Sequence, residues 1–217
     1  MAKRAGQATP RHPLLTLPAY PFPMRRLAAS FFVVALSACS SAPREAAPTP
    51  GLASFSGGLP DRVAFLQKDP RWGGDELGRS GDTMASDGCL VTAVAMALAN
   101  LGIDTDPGEL NRDLTRSDGF TPRGWLKWSA VADVTNGRAR ALYHDAVSPE
   151  LIRSCIADGD YPLVRFYLPN GRSHWALVVA ESPQGYRMRD PLRPSRSPLI
   201  FPRGADAFKS LRCVGEA

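Results

Sequence analysis

Three residues have the types and settings that acyl transfer needs. Cys89 follows Gly88 and opens the apolar run Cys-Leu-Val-Thr-Ala-Val-Ala-Met-Ala-Leu-Ala-Asn-Leu. A thiol at the start of a helix meets unpaired backbone N–H groups and the positive end of the helix dipole, and both stabilise a thiolate. The same N–H groups suit the oxyanion that forms when a thiolate attacks a carbonyl. Gly88 also lets a substrate approach the backbone closely. His174 stands near the start of a β-prone run, and Asp190 ends another. Folded as an antiparallel hairpin with Glu181, Ser182 and Pro183 as the loop, the two runs pair Ala180 with Gln184 and set His174 opposite Asp190. A carboxylate there orients the imidazole and stabilises its cation. Nucleophile, base and orienting acid then make a full set for covalent catalysis. The plainer alternatives are a small buried cysteine, a strand histidine and a turn aspartate before Pro191.

The elements that must hold these residues are legible in outline. Residues 61–67 read as a strand or extended segment, and residues 68–88, rich in Gly and Asp, as loop. Residues 89–101 are apolar on almost every side, as in a helix buried inside a domain. Ser86 or Asp87 is placed to cap its start, and Gly102 with Ile103 suits a left-handed C-terminal cap. Asp106, Pro107 and Glu109 announce a second helix, residues 122–134 a third with Trp125 and Trp128 one turn apart, and Ser148 with Pro149 a fourth ending at Gly159. Residues 161–168, 173–180 and 185–190 read as strands, the first two joined across Asn170-Gly171. Pro191, Pro194 and Pro198 then break regular structure. The expected class is α+β, with a buried helix bearing the nucleophile packed on an antiparallel sheet. Trp72, Trp125 and Trp128 read as core or groove walls, and His144 as exposed.

On these marks the chain resembles the papain-like cysteine peptidases related to the domains that cleave double-glycine leaders from bacteriocins. The resemblance covers roughly residues 63–192. It is carried by Gln67-Lys68-Asp69-Pro70-Arg71-Trp72, Ser86-Asp87-Gly88-Cys89, His174-Trp175-Ala176-Leu177-Val178-Val179, and Asp190-Pro191. It implies a papain-like cysteine protease fold, with Cys89 as nucleophile, His174 as base and Asp190 as its partner. It further implies an oxyanion-hole glutamine, which would be Gln67; the same residue could instead cap the first strand. The implied reaction is hydrolysis of a peptide or amide bond through a thioester, with a peptide or protein of the cell envelope as substrate. Cell-wall amidases and transglutaminase-like acyl transferases use the same constellation. In the wall amidases serine usually follows the cysteine, whereas Leu90 does so here. A third reading is an inactive peptide-binding lipoprotein or exporter accessory.

The N-terminal region has another character. Met24-Arg25-Arg26, the apolar stretch from Leu27 and the small residues before Cys39 describe a secretory signal too short to span a bilayer. The cysteine in that place resembles a bacterial lipoprotein signal, which implies diacylglycerol on Cys39. Residues 1–23 read as a non-native extension, 24–38 as the signal, 39–60 as the lipidated cysteine and a flexible tether, and 61–217 as one domain. The resemblance to a lipoprotein signal further implies, with Ser40 in place of aspartate after the cysteine, an outer-membrane location facing the periplasm. The first 38 residues carry five of the 26 basic residues and none of the 21 acidic ones, so the remainder is balanced and offers no basic surface for nucleic acid. In an oxidising compartment Cys155 and Cys213 are the natural disulfide pair, or remain free thiols, and Cys89 is left over. Cys89, His144, His174 and Asp190 have the ligand types for zinc but no paired spacing, and no phosphate or dinucleotide loop is present. No metal or cofactor is expected.

Overall fold

A single helical turn, α1 (Met84–Asp87), feeds directly into the apolar helix α2 (Cys89–Asn100). Both belong to a computed structural model that describes residues 57–217. The expected extension, signal segment, lipidated Cys39 and tether up to residue 56 lie outside the described residues. Residues 68–88 are therefore not all loop. Thr83 caps α1 by accepting from the Ser86 N–H, so Ser86 and Asp87 do not cap α2 as expected. Gly88 is the junction, and no side chain caps α2 there. A Cβ on Gly88 would stand 2.5 Å from the Met84 carbonyl oxygen, so glycine is required for the chain's own close approach.

α2 is buried from Val91 to Leu98, and small Ala93, Ala95 and Ala97 let its neighbours come close. It ends in a Schellman motif: Gly102 takes φ +79°, and Ile103 N–H donates to Leu98 O at 2.9 Å. Asp106 caps α3 (Pro107–Arg116) by accepting from Glu109 N–H at 2.8 Å. The expected third helix shrinks to α4 (Ala130–Val134). Gly124 at φ +73° and the bridge between Phe120 and Leu126 turn the preceding residues into a tight loop. Trp125 is consequently exposed rather than a core residue, whereas Trp72 is buried and Trp128 packs on Trp175 at 5.8 Å.

The sheet is six-stranded and antiparallel. Its strands are β1 (Ala139–His144), β2 (Tyr161–Tyr167), β3 (Ser173–Ser182), β4 (Gly185–Arg189), β5 (Leu199–Phe201) and β6 (Ser210–Glu216), in the order β1-β6-β2-β3-β4-β5. α5 (Pro149–Ala157) begins at the Ser148 cap, as expected. β1, β5 and β6 were not expected. Chain order departs from helices followed by strands, because β1 precedes α5, yet the class remains α+β.

Strand alternation divides the core in two. Leu163, Leu177, Val179 and Val214 join α2, whereas Val164, Ala176, Val178 and Cys213 join Ile152 and Ile156 of α5 on the opposite face. A disulfide between Cys155 and Cys213 ties α5 to β6. His144 is half-buried beside it, with Nε2 3.7 Å from Cys155 Sγ, rather than freely exposed.

Residues 61–67 form no strand but run extended along the domain. Asn100 fastens them, accepting from the Arg62 and Val63 N–H groups and donating to Val63 O. Earlier in the chain, Leu59 N–H donates to Val179 O at 2.8 Å, so the last residues assigned to the tether lie against the domain.

Candidate active site

Cys89 is the first residue of α2, a half-buried free thiol. Its helix packs on β3, the strand whose second residue is His174. His174 is 1 % exposed, and its Nε2 lies 2.7 Å from Asp190 Oδ1. That contact leaves Nδ1 as the ring nitrogen not engaged by Asp190. The ring edge stands against Phe166, its cross-strand partner on β2, with centroids 5.4 Å apart and planes at 87°. Sequence inspection did not single out Phe166, because an apolar strand residue carries no chemical mark.

The His174–Asp190 contact arises from a different register than expected. Ser182 faces Gly185 across Pro183-Gln184, so Ala180 pairs with Arg187 and not with Gln184. An irregularity at Val179 then shifts the pairing, so that Val178 faces Met188 and Leu177 faces Arg189. Without that bulge Asp190 would project on the face of Leu177. With it, Asp190 shares the face of Ala176 and His174 and reaches His174 diagonally. Asp190 Oδ1 also accepts from Leu192 N–H at 2.9 Å, which fixes the carboxylate beyond the strand end.

Electrostatics follow from this enclosure. Burial alone would push the His174 imidazole down, but hydrogen bonds to Asp190 and Cys89, with their negative charge, outweigh it and push the pKa up to about 9. Burial likewise opposes ionisation of Asp190, and the hydrogen bond and charge of His174 more than offset it, so its carboxyl is held below the usual range. The geometry thus favours a His174 imidazolium beside an Asp190 carboxylate.

Gln67 is 2 % exposed and lines one cavity of about 250 Å³ with Cys89, His174, Lys68, Asn170 and Arg172. Its backbone N–H donates to Pro191 O at 2.9 Å, and Nε2 donates to Ala85 O at 2.9 Å. The residue therefore bridges the Asp190 loop and the turn that leads into Cys89, and does not cap a strand. Its Oε1 is buried with no partner among the described residues. Leaving such an atom unpaired costs about 1–3 kcal/mol, which is unusual unless another role retains the residue.

Further residues support the site. Arg172 donates to Ser86 O at 3.1 Å and approaches Asp87 Oδ1 at 3.2 Å, tying the β2–β3 turn to α1 over the cavity. Arg189, directly before Asp190, makes a paired contact with Asp61 at 2.6 and 2.7 Å. Neither role had a local sequence mark. His144 stands at the disulfide, so the conceivable zinc set of Cys89, His144, His174 and Asp190 is not brought together.

No family model matches the chain, and no curated protein matches it. Among solved structures, one match is a crystal structure from Bacillus anthracis provisionally described as a C39-like peptidase. The two are 14 % identical with a TM-score of 0.49, over 74 % of this chain and 98 % of that one. Likeness at that level bears on neither fold nor chemistry here; both rest on the residues themselves.

Proposed function

We propose that this chain is a cysteine hydrolase of papain-like fold that cleaves a peptide or amide bond with Cys89, His174 and Asp190. The observation that carries the reading is His174, buried, bonded to Asp190 at 2.7 Å and lining one cavity with Cys89, with its pKa pushed up to about 9. In the proposed reaction the Cys89 thiolate attacks the carbonyl carbon, and the oxygen takes up negative charge. The uncapped first N–H groups of α2 and the second N–H of Gln67 Nε2 are the donors for that oxyanion. The His174 imidazolium gives its proton to the departing amine, and a thioester to Cys89 remains. Neutral His174 then takes a proton from water, hydroxide adds to the thioester, and thiolate and acid are released.

The test uses a proteome-derived peptide pool, incubated with the chain and read by mass spectrometry for new termini and for an acyl adduct on Cys89. Cleavage and adduct in the wild type, both absent in Cys89→Ala, are expected. Products of equal yield in the two proteins would overturn the assignment.

Export and lipid anchoring through Cys39 form part of the same proposal and are supported by the sequence from Met24 to Cys39. Substitution Cys39→Ser is expected to abolish membrane retention. Unchanged fractionation and mass would remove the anchor from the account.

A further inference from the structure

Arg212 is only 7 % exposed, and no carboxylate among the described residues pairs with it. Its guanidinium carbon lies 3.4 Å from the centroid of Tyr143 and 5.5 Å from that of Trp128. NH1 donates to Leu211 O at 2.6 Å and reaches His144 O at 3.5 Å, while Nε is buried without a partner. Burial opposes its charge; Tyr143, by charge and hydrogen bond, and the field of Asp145 favour it, and Arg165 repels it. A guanidinium stays charged in a protein, so this one is desolvated without a counter-ion.

Arg165 repeats the pattern. It is half-buried, donates to Ser210 Oγ at 3.0 Å, lies over Tyr167, and pairs with no carboxylate among the described residues. Strand register relates the two: Tyr143 faces Arg212 across β1–β6, Arg212 faces Leu163 across β6–β2, and Arg165 faces Trp175 across β2–β3. Leu163 belongs to the core under α2, so by alternation Arg212, Arg165, Trp175 and Tyr143 share the α2 face of the sheet. They lie at the end where α2 begins, because Trp175 directly follows His174. Trp128 bridges Arg212 and Trp175 from the loop before α4. At the end of the sheet where His174 lies, the α2 face from β3 to the β1 edge therefore offers a strip of aromatic and cationic side chains.

We propose that this strip binds an acidic peptide, whose side-chain carboxylates sit on Arg165 and Arg212 while its apolar side chains lie against Trp128, Trp175 and Tyr143. Charge complementarity selects this occupant: two guanidiniums without a paired carboxylate attract one through their fields, Arg212 through the NH2 that its backbone bonds leave free and Arg165 from its half-buried position. A basic peptide would meet repulsion there, and a purely apolar one would leave the charges unmatched. The proposal rests on the hydrolytic reading only for its consequence, that acidic segments are delivered to Cys89; the binding itself does not require turnover.

The test uses the full chain carrying Cys89→Ala, so that binding is read without cleavage. The probes are fluorescein-labelled, C-terminally amidated peptides of alternating Glu and Ala, Gln and Ala, or Lys and Ala, followed by fluorescence anisotropy. Binding of the Glu peptide about tenfold or more tighter than either other peptide is expected, weakening as salt rises from about 20 to about 200 mM. Arg165→Gln should erase most of that preference and Arg165→Lys should restore part of it. Arg187→Gln, which removes the same charge from an exposed position on β4, should leave it intact. Arg212→Gln is informative where circular dichroism shows it folded, and Arg165 decides the matter alone where it does not. Equal binding of the three peptides, or equal losses in Arg165→Gln and Arg187→Gln, would overturn the strip. Selective binding by a wild-type chain that cleaves nothing would instead spare the strip and remove the hydrolase.

Discussion

Replacing Asp190 with Asn keeps the shape of the side chain and removes the charge 2.7 Å from His174 Nε2. In the wild type, His174 is raised from 6.5 to about 9, a preference for the imidazolium worth roughly 3–4 kcal/mol at about 1.4 kcal/mol per pH unit. Burial works against that preference, and Asp190 leads the groups that oppose burial. In Asp190→Asn only Cys89 still opposes burial, so the His174 midpoint should fall well below that of the wild type. The assay is an NMR titration of the histidine ring Cε1–H signals, uncrowded because the chain has 3 histidines. Stability gives a second readout. A raised folded pKa contributes stability that is fully present below the unfolded value near 6.5 and is lost as pH rises through about 9. Chemical denaturation of the wild type should thus show stability falling across that window, and the slope should flatten in Asp190→Asn. A wild-type His174 midpoint near the ordinary value, or the same midpoint in both proteins, would refute the reasoning.

Other outcomes follow from the same contacts. Gln67→Ala should lower kcat by about 100-fold or more while KM changes little, because an oxyanion donor acts in the transition state; steady-state kinetics on any substrate found will show this, and a change confined to KM would assign Gln67 to binding. Asp61→Ala strands the buried Arg189 guanidinium and should cost about 3 kcal/mol, the lower end for a broken buried pair, since Ser195 and Arg196 carbonyls still accept from it; urea midpoints measure the loss. Cys213→Ser opens a link that spans 58 residues and should cost about 4 kcal/mol on loop-closure grounds, seen as a lower denaturation midpoint under oxidising conditions that reductant abolishes.

The site was legible where chemistry and local pattern coincide. Cys89 stood out because a helix signal begins at it, and the helix runs to Asn100 with the Gly102 cap in place. His174 and Asp190 do meet, yet the hairpin drawn from loop length had the wrong register. The bulge at Val179 corrects the face, and no residue type announces it. β1 and β6 escaped notice for a related reason. β6 is buried on both faces and shows no alternation, and it pairs with β1 and β2, far away in sequence. Long-range pairing leaves no local mark. The expected helix over residues 122–134 failed at Gly124, where a left-handed turn overrides the spacing of Trp125 and Trp128. Gln67 shows the opposite case: its type fitted the resemblance, but only the bonds to Ala85 and Pro191 bring it to the cavity of Cys89.

The most direct test of the central claim is the rate of Cys89 alkylation by iodoacetamide against pH, followed by peptide mapping, in the wild type and in His174→Ala. A thiolate held by the His174 imidazolium should be labelled rapidly already below about pH 7, and that reactivity should collapse in the variant. Slow labelling in both proteins, rising only around pH 8.5 as for a thiol with no cationic neighbour, would contradict an assembled Cys89–His174 pair.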